Sequence, residues 1–79
     1  MEETIMESLV FIGAAIAVAI PCLGAGLGIA KATSKALESI ARQPEADSKI
    51  TKNLLLGSAL AEATAIYGFV IALLIILLK

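Results

Sequence analysis

Glu62 is the residue most able to do chemistry. It is the only charged residue between Lys52 and Lys79, in a stretch that is otherwise almost wholly apolar. A carboxylate that deep in oil is costly by several kcal/mol, and such residues are by default functional. A structural salt bridge would offset the cost, but no Lys or Arg of this chain lies at that depth. Lipid disfavours the charged form, so the tolerated state is the protonated acid. An acid kept neutral in lipid, yet able to release its proton when a cation or a water path arrives, has the chemistry of a reversible ion carrier. Thr64 and Tyr67 follow within two turns. Tyr67 lies five residues on, about 140° around a helix. It can serve as a hydrogen-bond donor to Glu62 or as a plain packing tyrosine, and spacing leaves both open.

The second chemical feature is a ladder of small residues. Gly24, Gly26, Gly28, Ala30 and Ala32 follow Gly13, Ala15, Ala17 and Ala19. Steps of four put Gly24, Gly28 and Ala32 on one stripe and Gly26, Ala30 and Ser34 on the next. Small residues four apart let helices approach closely in lipid. Glycine weakens a helix, so close neighbours must offset the loss. Two adjoining small stripes predict neighbours on both sides. The run Gly24–Gly28 could also suggest a dinucleotide phosphate loop. That fingerprint requires a preceding strand and a following helix, and here the glycines lie inside an apolar span.

Both features need elements to position them. The chain has 79 residues, 59% of them hydrophobic and only 16% charged. Ser8–Ala30 carries no charge, and 53–78 carries only Glu62. At about 1.5 Å per residue each is long enough to cross a hydrocarbon core of roughly 30 Å. Neither shows the alternation of a barrel strand, so both are predicted to be transmembrane helices. The fold class is all-α, a two-helix membrane hairpin. The expected organisation is one span over 8–30, a polar loop region over 31–52, and a second span over 53–78.

Helical spacing runs on into the polar region through Ala32, Ala36, Leu37, Ile40 and Ala41. Pro44 disfavours helix at the residue before it, so the turn is expected at Gln43–Pro44. Helix is expected to resume after Asp47–Ser48, either of which could cap it. Pro21 is expected to bend the first helix gently. Counting outward from the turn puts Glu62 level with Gly26. A glycine-rich helix beside a leucine-rich one suits two concentric rings, the thin helix inside, and packing alone leaves a simple hairpin dimer as the alternative.

Other classes fall away. A net charge of −1 gives no reason for a nucleic-acid partner. There is no His and one Cys, so neither an internal disulfide nor a zinc site can form. Cys22 reads as a small apolar filler. The start Met1-Glu2-Glu3 lacks the positive charge of a signal peptide, so the first stretch is expected to be retained. Lys31, Lys35, Arg42, Lys49 and Lys52 lie between the spans. The loop is therefore expected in the cytoplasm and both termini outside. A bacterial plasma membrane suits a start without a transit peptide. No metal or cofactor is implied.

The glycine ladder, the segment Ala41-Arg42-Gln43-Pro44-Glu45-Ala46, and Ala61-Glu62-Ala63-Thr64 with Ile66-Tyr67 together resemble the c subunits of F-type ATP synthases. The resemblance covers nearly the whole chain. It implies a ring of identical hairpins, a membrane rotor in which Glu62 carries one ion per copy. Loading and unloading would occur at half-channels of a neighbouring a subunit, where an arginine meets the deprotonated Glu62. Arg42, Gln43 and Pro44 would lie against the central stalk, and rotation would be coupled to ATP synthesis. The chain would be non-catalytic by itself, with identical copies, the a subunit, stalk subunits and membrane lipid as its partners.

Sodium-carrying members typically place Gln at the position of Ile29 and Ser at the position of Ala63. Neither residue here ligates a cation, and Thr64 with Glu62 makes a poor shell, so the ion is expected to be a proton. The rival classes are a sodium ring, a holin-like channel, a small multidrug transporter and a vacuolar-type proteolipid. The transporter has typically four spans, and many vacuolar-type proteolipids carry duplicated hairpins. The holin-like reading leaves Glu62 opposite a glycine ladder unexplained.

Overall fold

The computed structural model describes residues 1–78. Helix α1 spans Glu2–Arg42, a single 3-10 turn covers Pro44–Ala46, and helix α2 spans Asp47–Leu78. The two helices lie antiparallel in a thin rod of 63 × 17 × 8 Å. At about 1.5 Å per residue, α1 alone accounts for nearly all of that length. It therefore runs through Pro21 without a sharp break.

The turn is built from local rules. Gln43 leaves helical geometry with φ −134° and ψ 74°, the extended side of the map that a following proline enforces. Its N–H still donates to the Ser39 carbonyl at 2.9 Å, closing the end of α1. Pro44 opens the 3-10 turn, where its missing N–H leaves no bond unmade. Ala46 N–H donates to the Gln43 carbonyl at 2.9 Å, and Asp47 N–H to the Pro44 carbonyl. The polar segment 31–52 is thus helix on either side of a very short turn, not an extended loop. Asp47 does not stand ahead of α2 as a cap but begins it. Its Oδ1 accepts the Thr51 hydroxyl at 3.0 Å, and its charge faces the favourable end of the helix dipole.

The helices meet along a seam of small residues. Ala14, Gly68 and Ala72 are buried there. Val10, Val18, Pro21, Ala25 and Ile29 continue it on α1, and Ile50, Leu54, Ser58, Ala61, Ala65 and Ile75 on α2, all half-buried. Steps of three and four along α2 hold one line of residues against the partner helix. Gly68 marks the closest approach. A β-carbon there would press on the Ala17 carbonyl and sit 2.9 Å from Pro21 Cγ. Away from the seam the large apolar side chains are exposed, among them Leu55, Leu60, Ile66 and Phe69. Both helices are long and apolar enough to cross a membrane. A surface of that kind requires lipid or other protein around it.

Candidate functional site

The register of the seam sets the height of Glu62. Gly68 packs between Ala17 and Pro21, and a groove joins Ala14 and Ala15 to Ala72 and Leu73. Counting from these pairs along both antiparallel helices brings Glu62 level with Ala25, between Gly24 and Gly26. Glu62 itself lies on a flank of α2, not turned into the seam. No ion pair engages it among the described residues.

Helical geometry separates the neighbouring polar groups. Thr51, Leu55, Glu62, Phe69 and Leu73 recur at steps of four, seven, seven and four, so they share one flank. Asn53, Thr64 and Tyr67 share the other flank by the same rule, with Leu74 beyond them. Glu62 and Thr64 are about 160° apart, so they cannot meet within one hairpin. The Thr64 hydroxyl donates to the Ala61 carbonyl at 2.7 Å. Tyr67 is 68% exposed, leaving its phenol available to something outside the chain. Ala63, small and half-buried, lies between the two flanks on the side away from the seam.

On α1, Ile29 is half-buried, and its carbonyl accepts the Thr33 hydroxyl at 2.8 Å. Gly24, Gly26 and Gly28 lie outside the seam. A β-carbon added at any of the three would meet nothing within 4 Å. Packing inside this hairpin therefore gives no reason for glycine at these positions. Gly24 and Gly28 lie toward one flank of α1 and Gly26 toward the other.

At the turn, Arg42 Nη2 donates to Glu38 Oε1 at 2.7 Å, and Lys35 Nζ lies 4.0 Å from Glu38 Oε2. Gln43 and Pro44 are exposed at the tip. The structure thus brings Gly24 and Gly26 to the height of Glu62. It keeps Thr64 and Tyr67 on the opposite flank and holds Arg42, Gln43 and Pro44 at the far end. Sequence reasoning missed Gly68 with Pro21, the contact that sets the register and so the height of Glu62. The small residues Ala61, Ala65, Gly68 and Ala72, three or four apart, carry the signal for it.

The family model for the ATP synthase C subunit matches residues 12–75, which takes in most of both helices and Glu62. The chain belongs to the ATP synthase C subunit family. Among similar proteins is the ATP synthase c subunit of Ruminiclostridium cellulolyticum, 61% identical over 71 residues, covering 90% of this chain and 92% of that one. The ATP synthase c subunit of Caldanaerobacter subterraneus subsp. tengcongensis is 60% identical over 72 residues, covering 91% and 97%. That of Clostridium novyi is 49% identical over 75 residues, covering 95% and 88%. Family membership and two apolar helices make this chain a bacterial membrane protein of ion transport and ATP synthesis.

Proposed function

We propose that this chain carries protons in the rotor ring of an F-type ATP synthase, through reversible protonation of Glu62. The observation that carries the reading is the position of Glu62. It lies deep in an apolar helix, on an outward flank, with no basic partner in the chain among the described residues.

The mechanism follows from the two flanks. In a ring, the Glu62 flank of one hairpin faces the Thr64 and Tyr67 flank of the next. Each site then forms between two copies, with Glu62 from one and the neighbouring Tyr67 as a donor to its carboxylate oxygen. The open glycines of α1 admit the close approach that such a ring needs. A protonated Glu62 can travel past lipid because it is neutral. At an aqueous half-channel of the a subunit it loses its proton, and an arginine of that subunit balances the charge until a proton arrives from the other side. Moving the carboxyl between the two channels turns the ring. Arg42, Gln43 and Pro44, at the exposed tip, contact the central stalk and pass rotation to the catalytic head. Lys31, Lys35, Arg42, Lys49 and Lys52 support a cytoplasmic tip with both termini outside.

A proton needs only the carboxyl and one hydrogen-bonding neighbour. Sodium needs several oxygen ligands, and the Ile29 and Ala63 side chains offer none. The Thr64 hydroxyl, which donates its proton to the Ala61 carbonyl, keeps oxygen lone pairs, but with Glu62 it adds only one side-chain ligand, too few for a sodium shell. Carbodiimide labelling of Glu62 tests the assignment, since the reagent attacks a protonated buried acid. Labelling should proceed equally with and without sodium at fixed pH. Strong protection by sodium would replace the proton with sodium.

A further inference from the structure

Next to the turn, the two helices leave an open groove of about 640 Å³ on one side of the hairpin. Its floor is apolar, with Ala32, Ala36 and Leu54. Its rim is polar and positive, with Lys35, Lys49 and Asn53. Lys49 enters no ion pair among the described residues, and Lys35 reaches Glu38 only at 4.0 Å. On the opposite flank of α2, Asp47, Thr51 and Leu55 stack at steps of four, with Ser48 and Lys52 along the edge farther from the seam. Asp47 lies about 160° around the helix from Lys49, so the two cannot pair within one chain. Asp47 enters no ion pair among the described residues either; Oδ1 accepts from Thr51, and the second carboxylate oxygen is left to others.

We propose that this groove receives the Asp47–Thr51–Leu55 flank of a second copy of the chain, with Lys49 pairing to the neighbour's Asp47. The inference rests on the ring reading, because copies related by rotation sit at equal height. At equal height, Asp47 of one copy is two residues, about 3 Å, from the level of Lys49 in the next. Thr51 then comes level with Ala36, one residue from Lys35, and lies between the levels of Lys49 and Asn53. Leu55 comes level with Ala32 and Leu54 on the apolar floor. Charge meets charge and apolar meets apolar in one register, with no sliding of either hairpin. Each copy uses both flanks, so the contact is head-to-tail and repeats around a closed ring. It clamps the ring at the turn end, separate from the Glu62 level.

The test uses rings purified with the whole synthase. Asp47→Lys alone and Lys49→Asp alone put like charges across every interface. Each should lower the temperature at which rings fall to monomers in dodecyl sulfate, and the double reversal should recover most of the loss. In a Cys22→Ala chain, Asp47→Cys with Lys49→Cys should give a ladder of oligomers on oxidation, and Asp47→Cys alone should give none. Intact rings in which the double reversal is as weak as the singles, or in which no ladder forms, overturn the clamp but leave the ring standing. So does an anionic phospholipid that purifies in equal number with the chain and is lost in Lys35→Gln, Lys49→Gln rings, when no ladder forms. A wild-type particle no larger than a dimer in mild detergent overturns the ring itself.

Discussion

Gly68 packs its backbone against Pro21, so closely that a β-carbon at 68 would lie 2.9 Å from Pro21 Cγ. The same β-carbon would press on the Ala17 carbonyl, the group whose usual i+4 partner is Pro21. Proline has no N–H to offer that carbonyl. The hairpin places its one buried glycine among the described residues there, giving a Cα–H where a side chain would clash. This contact fixes the register of α1 on α2 and so the height of Glu62.

Gly68→Ala should therefore destabilise the hairpin by roughly 1–3 kcal/mol, the range for overpacking a well-filled contact. Part of the contact is with backbone, which cannot rotate away. Gly57→Ala is the control, since a β-carbon at 57 meets nothing within 4 Å. Unfolding of the monomeric hairpin in detergent, followed by helical circular dichroism, compares the two. Pro21→Ala in the Gly68→Ala chain should recover only part of the loss, because the Ala17 carbonyl remains.

Gly24, Gly26 and Gly28 should behave in the opposite way. Nothing in the hairpin would meet a β-carbon at these sites. Replacing any of them with Ala should leave the isolated hairpin as stable or raise it by up to about 1 kcal/mol through helix propensity. Replacement with Leu should keep the helices but prevent rings from closing. Helicity by circular dichroism and particle mass in mild detergent read the two effects separately. A ring of normal mass with Gly26→Leu would show that α1 does not meet its neighbours there.

Glu62→Gln should abolish ion-driven ATP formation while rings still assemble, because the amide keeps the shape and cannot release a proton. Tyr67→Phe should leave transport in place but change its dependence on pH if, as proposed, the Tyr67 flank faces a neighbour's carboxyl in the ring. ATP synthesis in vesicles under an imposed proton gradient, measured across pH, checks both.

Arg42→Ala should uncouple the motor, leaving ATP hydrolysis that no longer pumps. Glu38→Gln should be mild. Its pair with Arg42 is mostly solvent-exposed, and such i,i+4 pairs are worth about 0.5 kcal/mol or less. Hydrolysis and dye-detected pumping in the same vesicles separate a lost stalk contact from a lost ion pair.

Much of this molecule is legible in the chain because lipid removes choices. A backbone in oil must satisfy its own hydrogen bonds, so two nearly charge-free stretches dictate two helices. Pro44 marks the turn because a proline restricts the residue before it, and Gln43 is the residue that leaves the helix. Within the polar segment 31–52, the spacing of Ala32, Ala36, Leu37, Ile40 and Ala41 shows helix where charge alone would suggest loop, and α1 continues through them to Arg42. Asp47 suits a cap by residue type, but the 3-10 turn ahead of it already supplies the helix with a start.

The sequence by itself determined the two spans, the lone membrane acid and the family, since each depends on residue type and linear spacing. Tertiary structure alone decided which side of each helix turns inward. Ala14, Gly68 and Ala72 take the seam, while the more conspicuous ladder of Gly24, Gly26 and Gly28 is left outside it. Small residues look alike in a sequence, whichever neighbour they make room for. Only the packed pair of helices separates the glycine that a partner helix presses upon from the glycines that no other part of the hairpin touches.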